Sequence, residues 1–132
     1  MSRTAAWVTA AAILLAAGCA SNNPDQQSAS NANRQCFFAS SVNSFAAVDT
    51  RTVNVRVGAD VYRLDLMNSC RNVTMNQRMS LVSRTGSSVC TGPSMGTTLI
   101  TRGVNGQQRC QVRNVTLLSP AEVEALRPRD RP

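Results

Sequence analysis

The chain contains no histidine and no lysine: all 14 of its basic residues are arginine. Without histidine there is no imidazole to act as a general base and no imidazole metal ligand. Without lysine there is no Schiff-base amine and no phosphate-gripping P-loop lysine. Aromatic residues make up 4% of the chain, too few for the stacked platforms that hold single-stranded nucleic acid. Carboxylates are scarce as well, seven against 14 arginines, which leaves a formal net charge of +7. These absences remove most catalytic constellations. They point to a non-enzymatic protein without metal, cofactor or nucleic-acid partner. The length of 132 residues suits one domain.

What is present begins with an address. Arg3 is the only charge ahead of an uncharged run from Thr4 to Gly18, with an apolar centre at Ile13, Leu14 and Leu15. The run ends in Ala16, Ala17 and Gly18, followed by Cys19. A charged start, a short apolar stretch and small residues before a cleavage point make an export signal. The run is too short to span a bilayer, which needs about 20 apolar residues. With Cys19 directly after the small residues, the segment resembles a bacterial lipoprotein signal. That resemblance implies lipidation of Cys19 and removal of residues 1–18. It departs from the usual pattern in carrying Ala16, where leucine is commonest, with Leu15 one step further out. Ala20 in place of aspartate resembles lipoproteins sorted to the outer membrane, which implies a lipid-anchored domain facing the periplasm.

Residues 19–35 form the next segment. From Ser21 to Gln35 it has no aromatic and no aliphatic residue larger than alanine. Such a stretch cannot bury enough apolar surface to offset its ordering entropy, so it reads as a disordered, lipidated tether. As a flexible coil it would reach roughly 22 Å. The net charge lies beyond it. Between residues 36 and 118 nine arginines (51, 56, 63, 71, 78, 84, 102, 109 and 113) face Asp49, Asp60 and Asp65, while the flanking segments are neutral.

Four cysteines remain once Cys19 is set aside: Cys36, Cys70, Cys90 and Cys110. An even number in an exported chain reads as two disulfides. The spacings of 34, 20 and 20 residues fit neither a zinc site nor a C-x-x-C redox motif. Four cysteines allow three pairings. We favour one short loop and one long, Cys70–Cys90 with Cys36–Cys110.

The segment 36–127 reads as a disulfide-braced β domain. Val53, Val55 and Val57 alternate with Thr52, Asn54 and Arg56; Tyr62, Leu64 and Leu66 alternate with Val61, Arg63 and Asp65. Each is a half-buried strand pattern, polar or outward on its second face. Gly58-Ala59 suits a II′ hairpin turn, which pairs Val55 with Tyr62 and keeps Arg56 away from Arg63. Further strands are expected at 45–48, 78–83, 89–90, 98–101 and 109–118. In the last, the apolar phase shifts between Val112 and Val115, which predicts a bulge. Ser119, Pro120 and Glu122 form a helix start with a capping box, and Leu118 and Val123 fit a hydrophobic staple. Residues 128–132 read as a disordered tail. The fold class is mainly β, a small antiparallel barrel or sandwich, OB-like in outline, with a short C-terminal helix.

The whole pattern resembles small uncharacterised lipoproteins of proteobacteria that are grouped as domains of unknown function. The shared elements are the lipidated cysteine, a cysteine before the first strand and V-D-T-R-T-V-N-V at Val48–Val55. Y-R-L-D-L ahead of Cys70, V-C at Val89–Cys90 and R-C-Q-V at Arg109–Val112 follow, then a closing S-P-A-E. The resemblance implies no known activity, and its motifs look structural.

Two motifs imitate chemistry. Gly92-Pro93-Ser94-Met95-Gly96 matches a nucleophile elbow in letters. The elbow needs a base and a strand-to-helix turn, and here a Pro/Gly loop is expected. Asn72-Val73-Thr74 and Asn114-Val115-Thr116 match glycosylation acceptors by chance. The functional claim rests on arginine. Arg56 and Arg63 share the outward face of one hairpin, with Arg51 near its other end. Guanidinium groups grip phosphate and carboxylate in bidentate fashion. Arg51, Arg56 and Arg63 are therefore the candidate ligand-binding residues. Their expected partners are anionic lipid, lipopolysaccharide or peptidoglycan. The alternative is an inhibitor or accessory protein that binds an acidic protein. A basic target such as a lysozyme would be repelled by the domain's charge.

Overall fold

A computed structural model describes residues 33–75, 78–84 and 86–132. The expected signal, Cys19 and all of the tether up to residue 32 lie outside the described residues. Among the described residues there are nine strands: β1 (Cys36–Phe38), β2 (Val42–Ala47), β3 (Thr52–Val57), β4 (Asp60–Leu66), β5 (Met79–Ser83), β6 (Ser88–Cys90), β7 (Gly92–Pro93), β8 (Thr97–Gly103) and β9 (Gly106–Leu117). The helix α1 (Pro120–Ala125) follows them. Short 3-10 turns cover Ala39–Ser41, Arg71–Val73 and Pro128–Asp130.

The main sheet runs β2-β3-β4-β9-β8-β5, with every neighbouring pair antiparallel and β7 added on β9. It curls into a half-barrel, so the fold is mainly β, as its period-two patterns require. β1 and β6 form a separate two-stranded ribbon. The β3–β4 hairpin has the register expected from its turn: Val55 faces Tyr62, Val53 faces Leu64, and Arg56 faces Val61. Gly58 takes φ +60 at the first turn position, which glycine tolerates without steric cost. Its N–H donates to Asn43 Oδ1 at 2.8 Å.

The concave face holds the core. Val53, Val55, Leu64, Leu99 and Val112 are fully buried there, and Phe37 of the ribbon stacks against Tyr62 with ring centroids 4.5 Å apart. The phase shift in β9 is a bulge: Asp65 faces Asn114 but Leu66 faces Val112, leaving Arg113 as the extra residue. Val112 and Val115 both reach the core as a result.

The disulfides differ from the favoured pairing. The bonds are Cys36–Cys90 and Cys70–Cys110, closing 54 and 40 residues of sequence. Strand pairing decides this. Cys36 lies directly opposite Cys90 in the ribbon. After β4 the chain continues along β9, where Met67 N–H donates to Gln111 O at 2.9 Å, and this brings Cys70 beside Cys110. Loop length alone favours neither arrangement strongly, because closure entropy grows only with its logarithm.

The C-terminal segment corrects two further expectations. Within residues 128–132, read as a disordered tail, Pro128–Asp130 form a 3-10 turn with Asp130 buried. Asn54 and Val61, read as outward, are buried too. The chain leaves β9 through the Leu118 N–H to Val61 O bond, turns through α1 and folds back over the outer face of β3. There Asn54 Nδ2 donates to Asp130 O at 2.8 Å, and Arg127 Nε pairs with Asp130 Oδ2 at 2.6 Å. Ala46 lies beside Asn54 across the β2–β3 ladder. These small side chains leave room for the returning segment, and the amide meets its main-chain oxygen. The start of α1 is as expected. Ser119 Oγ accepts from Glu122 N–H, and Ser119 N–H donates to Glu122 Oε2 at 2.7 Å.

Before β1, Gln35 exchanges hydrogen bonds with Thr91, one main-chain and one to Thr91 Oγ1.

Candidate functional site

The three arginines expected to bind a ligand have different surroundings. Arg56 and Arg63 do share the outer face of the β3–β4 hairpin. Arg56 Nε, however, donates to the main-chain oxygen of Pro132 at 2.8 Å. Arg63 Nε reaches Asn54 Oδ1 at 3.4 Å, and its charge acts on Glu122 at the start of α1. The Ser119 main chain and hydroxyl, with a smaller contribution from Arg63, hold the Glu122 carboxyl below its ordinary value. Arg56 therefore fastens the C-terminal segment to the hairpin, while Arg63 bonds within the hairpin to Asn54. Arg51 stands apart on the β2–β3 turn, exposed, where its N–H donates to Asp49 Oδ1.

Other arginines form a more open array. From residue 66 to residue 121 the chain has no aspartate or glutamate, yet it carries Arg71, Arg78, Arg84, Arg102, Arg109 and Arg113. This stretch builds β5 to β9, so half of the sheet has no carboxylate of its own. Leu99 and Thr101 of β8 point into the core, as do Cys110 and Val112 of β9. By alternation Arg102 and Arg109 point outward. Ile100 faces Arg109 and Gln107 faces Arg102, which makes the two arginines diagonal neighbours on the convex face. Such positions are about 7–8 Å apart. Arg78 joins them at the sheet margin, where its carbonyl accepts from Arg102 N–H at 3.3 Å. Arg113 is displayed by the bulge, with one Nη2 contact to Met67 O at 3.4 Å.

Among the described residues the only ion pairs are those of Arg127 and Arg129 with Asp130. The arginines on β8 and β9 have no carboxylate partner there, and their charge is open to solvent and to anions. The acid-free stretch could have been read from the sequence. The net charge of residues 36–118 hides it, since Asp49, Asp60 and Asp65 all lie in or before β4.

The catalytic look-alikes have structural roles. The G-x-S-x-G segment is β7 and a turn into β8, a strand–turn–strand unit. Ser94 Oγ lies 2.8 Å from Thr97 Oγ1, and its N–H donates to Arg113 O. Asp49 closes a turn, while Asp60 and Asp65 lie at opposite ends of β4. No group of three metal-ligating side chains occurs among the described residues. Also among them, no helix is long and apolar enough to cross a membrane.

Comparison with known proteins gives one positive result. No curated protein and no solved structure matches the chain. One family profile does, over residues 2–131, a span that takes in the apolar N-terminal run, Cys19, the strands and α1. With nearly its whole length matched, the chain belongs to the Family of unknown function (DUF6491).

Proposed function

We propose that the protein is a non-enzymatic binding module of the bacterial envelope. In this reading it is lipid-anchored through Cys19 at the periplasmic face of the outer membrane and engages anionic envelope components. The single observation behind it is the carboxylate-free half of the sheet, where Arg78, Arg102, Arg109 and Arg113 have no carboxylate partner among the described residues. Two structural disulfides fit an oxidising compartment outside the cytoplasm. The export-type leader ending at Cys19 supplies the anchor. Phosphate on lipid or lipopolysaccharide, and carboxylate on peptidoglycan, match the guanidinium fork. In this reading the ligand site is the β8–β9 hairpin and not the β3–β4 hairpin, whose Arg56 is engaged by Pro132.

Co-sedimentation of the full chain with phosphatidylglycerol vesicles, against phosphatidylcholine vesicles, tests the reading. The anchor contributes equally to both, so the difference reads electrostatics alone. Binding to the anionic vesicles should be the tighter. The gap should close as salt rises from about 50 mM to about 500 mM. Arg102→Ala or Arg109→Ala should each weaken it about fivefold, the worth of one cation at such a surface. Equal binding to both vesicle types would sink the lipid form of the proposal. Lipopolysaccharide and peptidoglycan in the same assay separate the remaining anions.

A further inference from the structure

Among the described residues the curl of the sheet leaves its two terminal strands with one neighbour each. β2 pairs only with β3, and β5 pairs only with β8. The phase of each ladder shows which main-chain groups point away. Val48 N–H donates to Thr52 O. That makes Ala46 and Asn54, two residues on, a hydrogen-bonded pair and puts Phe45 and Ala47 in the alternate phase. The N–H and C=O groups of Phe45 and Ala47 therefore face the free edge. On β5 the bonds from Arg102 N–H to Arg78 O and from Arg84 N–H to Gly96 O set the phase in the same way. Ser80 and Val82 face β8, and the main-chain groups of Met79 and Leu81 face outward. Among the described residues these four have no main-chain partner on that side.

Both free edges border one groove. It has a volume of ≈ 400 Å³, with Val42 and Phe45 on one flank and Met79 and Leu81 on the other. A second depression of ≈ 540 Å³ shares Phe45 and Met79 and continues to Arg129 and Arg131. Together they make a slot with an apolar floor, a hydrogen-bonding edge on each side and an arginine end, where Arg129 pairs with Asp130 at 3.7 Å and Arg131 donates to the main-chain oxygens of Leu126 and Glu124. No carboxylate lines either part.

We propose that this slot accepts an extended acidic peptide segment of a partner protein, added as a strand between β2 and β5. An acyl chain would match the floor but leave both edges without partners, which is costly once water is displaced. An extended polypeptide offers donors and acceptors at the strand repeat of about 3.3 Å and puts alternate side chains on the floor. β2 and β5 are separated by five antiparallel steps and run in opposite directions. The added strand is thus antiparallel to one and parallel to the other, and both arrangements form ladders. Arg129, exposed and held among the described residues only by its 3.7 Å pair with Asp130, offers its remaining N–H groups to a carboxylate of the peptide. This site is separate from the convex arginines and does not rest on the membrane reading.

The probe is a fluorescein-labelled nonapeptide that alternates valine and threonine and ends in two glutamates, titrated into the full chain. Its anisotropy should rise with saturation, and the amides of Phe45, Ala47, Met79 and Leu81 should gain protection from hydrogen exchange. The same peptide, N-methylated at alternate residues, should bind at least about tenfold more weakly, since two or more ladder bonds of about 1 kcal/mol are lost. Ala47→Pro removes one edge donor while keeping the β2–β3 ladder, and should weaken binding about fivefold. Arg129→Ala should weaken it and flatten its salt dependence. The methylated peptide carries the test on the unaltered chain should Ala47→Pro fail to fold. Four results would each overturn the proposal: no binding, equal binding of the methylated peptide, displacement by dodecanoate without amide protection, or edge-to-edge dimers that exclude the peptide.

Discussion

Tyr62 shows how one residue ties the strand pattern to a measurable property. It is the only tyrosine of the chain, so its titration can be read without interference. Burial beneath Phe37 raises its phenol above the ordinary value, and the charge of Asp60 adds to the shift. The neutral phenol is the form the fold favours. Its contribution to stability is present below the unfolded phenol value and is lost as pH rises through the higher folded value. Absorbance at 295 nm should therefore titrate at higher pH in the native protein than in urea, and Tyr62→Phe should flatten the alkaline loss of stability. A native midpoint at or below the urea midpoint would contradict this. Period-two alternation is enough to place Tyr62 inward. Asn54 is the opposite case. As a polar residue at an alternate position it reads as solvent-facing, and it is buried only because a segment 76 residues away lies on it.

Among the elements, the β3–β4 hairpin was the most legible, because its turn, alternation and cross-strand charge pattern agree. Gly58 carries its register. A Cβ built there meets nothing within 4 Å, so a substitution is opposed by φ +60 and not by crowding. Gly58→Ala should destabilise the protein by about 1–2 kcal/mol, the cost of a left-handed residue, with the native fold kept. Urea denaturation measures this as a lower midpoint at unchanged slope. The bulge in β9 and the capping box of α1 were readable for the same reason: each leaves a local mark, a phase break or an S-x-x-E spacing. The C-terminal 3-10 turn leaves none. Pro128 and Pro132 look like terminators, yet prolines also fit 3-10 turns and extended segments. What holds this one is the distant contact with Asn54 and Arg56.

On the scale of the molecule, the two disulfides tie different layers and should behave differently. Cys36 is exposed and Cys90 half-exposed, on the small ribbon. Cys70 and Cys110 are buried against the core. Thiolate attack needs access to sulfur. Graded reduction followed by alkylation and peptide mapping should label Cys36 and Cys90 first, with Cys70 and Cys110 labelled only as the domain unfolds. A Cys70→Ala, Cys110→Ala double variant should lose about 2–5 kcal/mol. Early labelling of Cys70 would contradict this order, and a Cys70–Cys90 peptide in the unreduced digest would contradict the pairing itself.

By itself the sequence determined the β class, the hairpin register, the bulge, the helix cap and the number of bridges. Each of these follows from steric or hydrogen-bonding rules that act within a few residues, or from simple cysteine parity. Only the tertiary structure decided which cysteines meet, which arginines are occupied, and that β2 and β5 end the sheet with their edges free. Those outcomes depend on how strands distant in sequence order themselves and how tightly the sheet curls, and these non-local pairings leave no local period to read. The missing histidine and lysine removed chemistry from the start. Folding then divided the remaining arginines into those that clamp the C-terminal segment and those displayed on strands without carboxylates.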